Sequence, residues 1–178
     1  MAKTYGTVTT FTSGSVLTAA QLNVASTAVN NLVVPAACRL KLNNAVASFT
    51  SGNPISWESI ASPGFDTDSM WSAGNASRIT FNTAGIYVVT GSVFDSVTVA
   101  TSTYQTVTIR VNGTTSHASQ AKETSVTAGV GTSLSVSMIY NATAGDYVEL
   151  LYTYTSGTHT IQNNNVTQFG AAWVGRTS

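Results

Sequence analysis

Charge is what this sequence has least of. Charged residues make up 8% of 178, with seven basic and seven acidic side chains and a formal net charge of zero. A nucleic-acid surface needs clustered Lys and Arg to neutralise phosphates, so nucleic acid is not an expected partner. Sparse charge also protects poorly against self-association, and it suits a subunit held in an assembly. The single cysteine, Cys38, excludes an intrachain disulfide and a thiolate metal cluster; its expected role is that of a small buried residue. No apolar run approaches the ~18 residues of a membrane span, so no membrane insertion is expected. The opening Met1-Ala-Lys-Thr-Tyr-Gly lacks the apolar stretch of a signal peptide. There are two histidines, His117 and His159, each shortly after a turn, where exposure at a strand end is expected. No nucleophile elbow accompanies them, and no His, Cys or carboxylate set clusters in sequence. The reading is therefore not an enzyme, with no cofactor and no required metal.

What the chain does have is hydroxyls and alternation. Roughly three residues in ten are Ser or Thr, well above ordinary usage. Thr favours strands and Ser favours turns, which points to an all-β protein with a polar, uncharged surface. Cys38, Leu40 and Leu42 alternate with Arg39 and Lys41, the pattern of a half-buried strand. Ile79 and Phe81 share one strand face, and Asn82 to Gly85 form a turn. Ile86 to Phe94 is apolar on both faces, with Ile86, Val88 and Phe94 opposite Tyr87, Val89 and Val93. Such a strand belongs in the middle of a sandwich or at a subunit contact. Gly91 halfway along it predicts a bulge or a close neighbour.

Further strands are expected over 104–111, 114–121, 132–140, 147–154, 159–162 and 168–174, with short ones over 55–58 and 65–67. Residues 96–102 and 122–131 are expected to be loops. Asn112-Gly113 is the strongest hairpin signal, because a type I′ turn needs two positive φ angles.

One helix is expected, over about 18–33, after an extended arm over 1–16. Thr18 and Gln21 have capping-box spacing, and Leu17 and Leu22 have that of a hydrophobic staple. Pro35 closes the helix. Leu22, Ala25, Val29 and Leu32 fall at 3-4-3 spacing and form an apolar seam for oligomerisation or anchoring, or else for packing on the helix's own domain. The expected division is an arm and helix over 1–36 and a β domain over 37–178.

Two further places could carry chemistry. Asp66 and Asp68 are the one close carboxylate pair; alternate carboxylates can bind Ca²⁺, but the oxygen ligands fall short, and a turn capped by Asp is the favoured reading. Trp71, in a Ser/Gly/Asn-rich loop, is the best aromatic candidate for an exposed ligand contact, whereas Trp173 in the closing strand is expected to be buried.

Three stretches carry a resemblance. Ala84-Gly85-Ile86-Tyr87, Ala144-Gly145-Asp146-Tyr147-Val148-Glu149-Leu150 and Phe169-Gly170-Ala171-Ala172-Trp173-Val174-Gly175 resemble, in order, three strand entries of the C1q/TNF-like jelly-roll family. The leading segment, Phe11 to Asn23, resembles the opening of tailed-bacteriophage structural proteins, and Phe65 to Trp71 is similar to the phage version of the domain. The resemblance implies an antiparallel jelly-roll sandwich that assembles as a homotrimer. It implies a non-enzymatic virion structural protein on the particle surface: a head decoration, short fibre or tail appendage. Residues 1–36 would meet other virion proteins of the capsid or tail. The alternative expectation is an adhesin that grips host-surface carbohydrate.

Overall fold

The computed structural model describes residues 13–14, 16, 18–58, 65–97, 102–125, 131–163 and 165–176. The arm expected over 1–16, Leu17 of the staple and the turn at Ser62 to Gly64 lie wholly or mostly outside them. Of Leu32 the backbone alone is described.

Helix α1 spans Ala19–Val33 and begins as its spacing predicts. The Gln21 N–H donates to Thr18 Oγ1 at 3.3 Å, and the Thr18 N–H donates to Gln21 Oε1 at 3.0 Å, so two orphan donors are satisfied reciprocally. The chain leaves the helical region at Val34, the residue that Pro35 forces towards an extended form.

Ten strands follow: β1 (Ala37–Lys41), β2 (Phe65–Asp66), β3 (Arg78–Thr80), β4 (Gly85–Val97), β5 (Ser102–Val111), β6 (Thr115–Ser125), β7 (Gly131–Ala142), β8 (Tyr147–Tyr154), β9 (His159–Ile161) and β10 (Gln168–Gly175). They form two antiparallel sheets. One has the order β2-β1-β10-β4-β7, with β9 also on β4; the other has the order β3-β8-β5-β6. The chain changes sheet between β2 and β3, β3 and β4, β4 and β5, β6 and β7, β7 and β8, and β8 and β9. These crossings make an antiparallel jelly-roll sandwich, as expected.

The inner faces supply one core. Tyr87, Val89 and Val93 of β4 face Val107 and Ile109 of β5 and Leu150 of β8, all completely buried. Burying each such side chain contributes roughly 1.5–3 kcal/mol. Gly91 marks a close neighbour: a Cβ there would lie 2.4 Å from Leu150 Cδ1. β4 pairs with β7 without interruption from Gly85 to Ser96, so the glycine makes room and makes no bulge in that ladder. The β5–β6 turn has φ +50° at Asn112 and +72° at Gly113, the two positive angles the dipeptide predicts.

Four expectations fail. Ser96, Val97 and Ser102 are not loop: the first two end β4, paired with β7 and β9, and Ser102 begins β5. Residues 55–58 are not a strand: the Ile55 N–H bonds Leu150 O while the Trp57 N–H bonds Ala76 O, so no one neighbour offers a ladder. Lys122 to Ser125 are not loop; they extend β6 along β5 as far as Ser102. The expected exposure of His159 is also wrong, for the reason given below.

Candidate functional site

The outer face of the six-stranded sheet carries large apolar side chains that the described residues leave exposed. Cross-strand pairing puts Ile139, Val88 and Ala172 in one row across β7, β4 and β10. Ile86 lies beside it on β4, and Val174 stands outward at an irregularity in β10. Ile139 is 76% exposed and Val174 57%. The next row carries Phe65, Arg39, Gly170, Thr90 and Ser137, with Phe65 46% exposed. Gly170 leaves a depression of about 210 Å³ over β1 and β10. The Arg39 guanidinium at its edge is held by Gln168 Oε1, at 2.9 Å from Nε and 2.6 Å from Nη2. Below it, Thr90, Ser92, Ser135 and Ser137 line a second hollow of about 270 Å³. An apolar centre with a hydroxyl rim and almost no charge has the make-up of a protein–protein contact.

The helix seam is the second uncovered surface. Leu22 is 61% exposed, Val29 57%, and Ala25 is half-buried. Among the described residues no strand packs extensively against α1. A 15-residue helix is marginal in water whatever its caps, so its apolar seam needs cover. No described helix is long and apolar enough to cross a membrane.

Asp66 and Asp68 serve the turn between β2 and β3. Asp66 Oδ1 accepts the N–H groups of Asp68 and Met70, at 3.2 and 2.9 Å, and Oδ2 accepts that of Trp71 at 3.0 Å. Asp68 is buried and accepts the Thr83 hydroxyl at 2.8 Å. Asp66 thus caps backbone amides as the favoured reading has it, and no group of three metal-ligating side chains occurs among the described residues. Trp71 is half-buried, and its indole N–H donates to Ala76 O at 3.2 Å. Trp173 is buried, but Trp57 is buried more deeply and stacks on Phe169 with ring centroids 5.9 Å apart. Burial pushes the Cys38 thiol well above its ordinary range, and the Asp66 charge adds to this, so it stays an inert thiol.

His159 is completely buried between the sheets. Its Nδ1 lies 2.6 Å from Asp95 Oδ2, and its Nε2 lies 2.8 Å from the backbone oxygen of Ser156. Tyr154 stacks on the ring at 3.9 Å. The same Asp95 oxygen accepts the Tyr152 hydroxyl at 2.9 Å and the Gln105 amide at 3.0 Å. Burial raises the Asp95 carboxyl above the ordinary carboxylate range, against the opposing pull of His159, Tyr152 and the Thr160 N–H. Burial and the Asp95 charge likewise raise the Tyr152 hydroxyl. Asp–His contact is half of a hydrolase triad, but here Nε2 faces a carbonyl where a nucleophile hydroxyl would stand. The group is a core network closed to substrate. Sequence reasoning missed it because Tyr152 and His159 lie 57 and 64 residues from Asp95.

His117 is exposed, as expected. It is the extra residue where the β5–β6 register shifts between Ile109 and Arg110, and its ring meets the edge of Tyr140 at 5.5 Å.

This architecture has a solved counterpart. Eiger TNF from S. frugiperda is similar, with a TM-score of 0.57 over 80% of this chain and 94% of that one. The chain has the TNF-type jelly-roll fold. Identity is 13%, so the likeness is one of fold alone. No protein-family model and no curated protein matches the sequence.

Proposed function

We propose that the chain is a non-enzymatic structural subunit of a tailed-phage particle. Three jelly-roll heads join through the outer face of the six-stranded sheet, and residues 1–36 dock them on capsid or tail proteins at the virion surface. The observation that carries this reading is the apolar row Ile139–Val88–Ala172, which one copy leaves uncovered at the centre of a long sheet. A second copy is the occupant it fits: the face is nearly uncharged, and the chain has only seven residues of each sign to specify a charged partner. The number three comes from the C1q/TNF-like resemblance, which the TNF-type fold supports. The phage setting rests on the Phe11 to Asn23 segment and on the uncovered Leu22 and Val29 of the helix.

Sedimentation velocity of the purified protein tests the assembly. A trimer that persists on dilution is the expected result, and a monomer with a concentration-independent melt would refute it. Antibody labelling of intact particles tests the setting; particles that carry no epitope would remove the virion assignment and leave the trimer standing.

A further inference from the structure

Away from the sheet face, the turn after β2 and the segment after Pro54 enclose a groove of about 520 Å³. Trp71, Trp57, Glu58, Ser56, Val46 and Ala76 line it. Trp71 gives it a half-exposed aromatic wall that is fixed in place. The Trp71 backbone N–H is tied to the Asp66 carboxylate, and its indole N–H to the Ala76 carbonyl, at 3.0 and 3.2 Å. The buried Trp57 lies beneath, and its backbone N–H bonds the same carbonyl.

Glu58 is the polar counterpart. Its Oε2 accepts the N–H groups of Asn43 and Asn44 and the Asn44 side-chain amide, at 3.2, 3.0 and 3.0 Å. Its Oε1 accepts nothing from the described residues, although the side chain is exposed and already oriented. The exposed Ser56 hydroxyl stands in the same lining. The buried Trp57 indole N–H has no acceptor among the described residues.

We propose that this groove is a carbohydrate subsite that takes one pyranose ring of a neutral glycan. The apolar C–H face of the ring stacks on Trp71, and a ring hydroxyl donates to Glu58 Oε1. An aromatic platform is attractive to any ring with a row of C–H groups, and the convergent polar groups select the orientation. The free carboxylate oxygen, with no Lys or Arg in the lining, turns away acidic sugars. Both partners are held by the fold before ligand arrives, which lowers the ordering cost of binding.

Saturation-transfer NMR on the purified full chain tests this. The probes are the methyl glycosides of glucose, galactose and mannose, N-acetylglucosamine, and N-acetylneuraminic acid as the acidic control. At least one neutral sugar should receive saturation, strongest at its C–H face, and the acidic sugar should receive none. Trp71→Ala should weaken binding at least tenfold, and Glu58→Gln about threefold or more. The glutamine carbonyl can still accept from Asn43 and Asn44, so this second variant keeps the loop if Trp71→Ala lowers the melting temperature. No binding by any neutral sugar, preferred binding of the acidic one, or affinity unchanged in Glu58→Gln would each overturn the proposal. Any of these leaves the particle-subunit reading intact, because that reading concerns a different face and a different measurement.

Discussion

Asp95 Oδ2 and His159 Nδ1 lie 2.6 Å apart with both side chains at zero exposure. The Nε2–H must donate to the Ser156 carbonyl, which can only accept. The short Nδ1–Oδ2 contact needs a proton as well. The folded pair therefore holds one proton between carboxylate and imidazole, in agreement with the raised proton affinity of Asp95.

The sign of the pH dependence follows. Burial raises the Asp95 carboxyl above its ordinary value of about 3.9, so the folded chain binds that proton more tightly than the unfolded chain. Such a group contributes stability below about pH 3.9 and loses it as pH rises through the raised folded value. Unfolding free energy should therefore fall above about pH 3.9, by at most about 1.4 kcal/mol per pH unit from this carboxyl. His159→Ala should cost about 3–5 kcal/mol by leaving the buried carboxylate without its ion partner, and should deepen that fall, because His159 is what draws the Asp95 carboxyl down. The Asp95→Leu, His159→Leu pair of changes should cost less than His159→Ala alone. Denaturant titrations between about pH 3 and 8 check all three.

Ile139→Glu should separate assembly from folding. Ile139 is 76% exposed in one copy, so in a monomer the change should fall within about 0.5 kcal/mol of neutral. In a trimer it sets a charge in the apolar row beside Val88. The expected outcome is a folded monomer by sedimentation, with an unchanged circular-dichroism spectrum. An intact trimer would move the contact to another face.

Leu22→Ser with Val29→Ser should impair particle attachment and leave the head folded. Both residues are largely exposed in one copy, and no strand leans extensively on α1 among the described residues. Covering a Leu or Val side chain contributes roughly 1.5–3 kcal/mol, more than the capping box at about 1 kcal/mol. Binding of labelled protein to particles that lack it is the readout, with thermal melting of the head as the control.

Gly85→Ala should be the most damaging of the small glycine changes. Gly85 has φ +145°, and a Cβ there would lie 2.2 Å from Trp173 Nε1 and 2.6 Å from the Gly175 carbonyl oxygen. Backbone strain costs about 1–3 kcal/mol and overpacking about as much again. Gly145→Ala is the matched comparison: φ is +98°, and nothing lies within 4 Å of the new Cβ. It should show the strain alone. Melting temperatures should therefore fall further for Gly85→Ala, by about 2–4 °C for each additional kcal/mol.

What the sequence by itself determined has a local physical reason in every case. The capping box of Thr18 and Gln21 closes within one helical turn. Asn112-Gly113 sets its own two backbone angles. The Leu134-to-Tyr140 and Tyr87-to-Val93 alternations follow from the two-residue period of a strand, which any strand obeys whatever it pairs with. These features carried the helix, the hairpin, most strand positions and their inward faces. Asp66 as a turn cap was legible for the same reason, since its acceptor atoms serve residues two to five positions ahead.

Tertiary structure alone decided the rest, because the deciding partner is distant in the chain. Lys122 to Ser125 are strand because β5 extends to Ser102 and offers them a ladder. Ile55 to Glu58 are not, because their partners divide between Leu150 and Ala76. His159 is buried because Asp95, 64 residues earlier, arrives on a paired strand and gives its nitrogen a carboxylate. Trp57 and Trp71 look alike as isolated aromatics; the fold buries one against Phe169 and leaves the other half-open beside Glu58. Periodicity names the face a residue occupies, but burial depends on what the rest of the chain brings to that face.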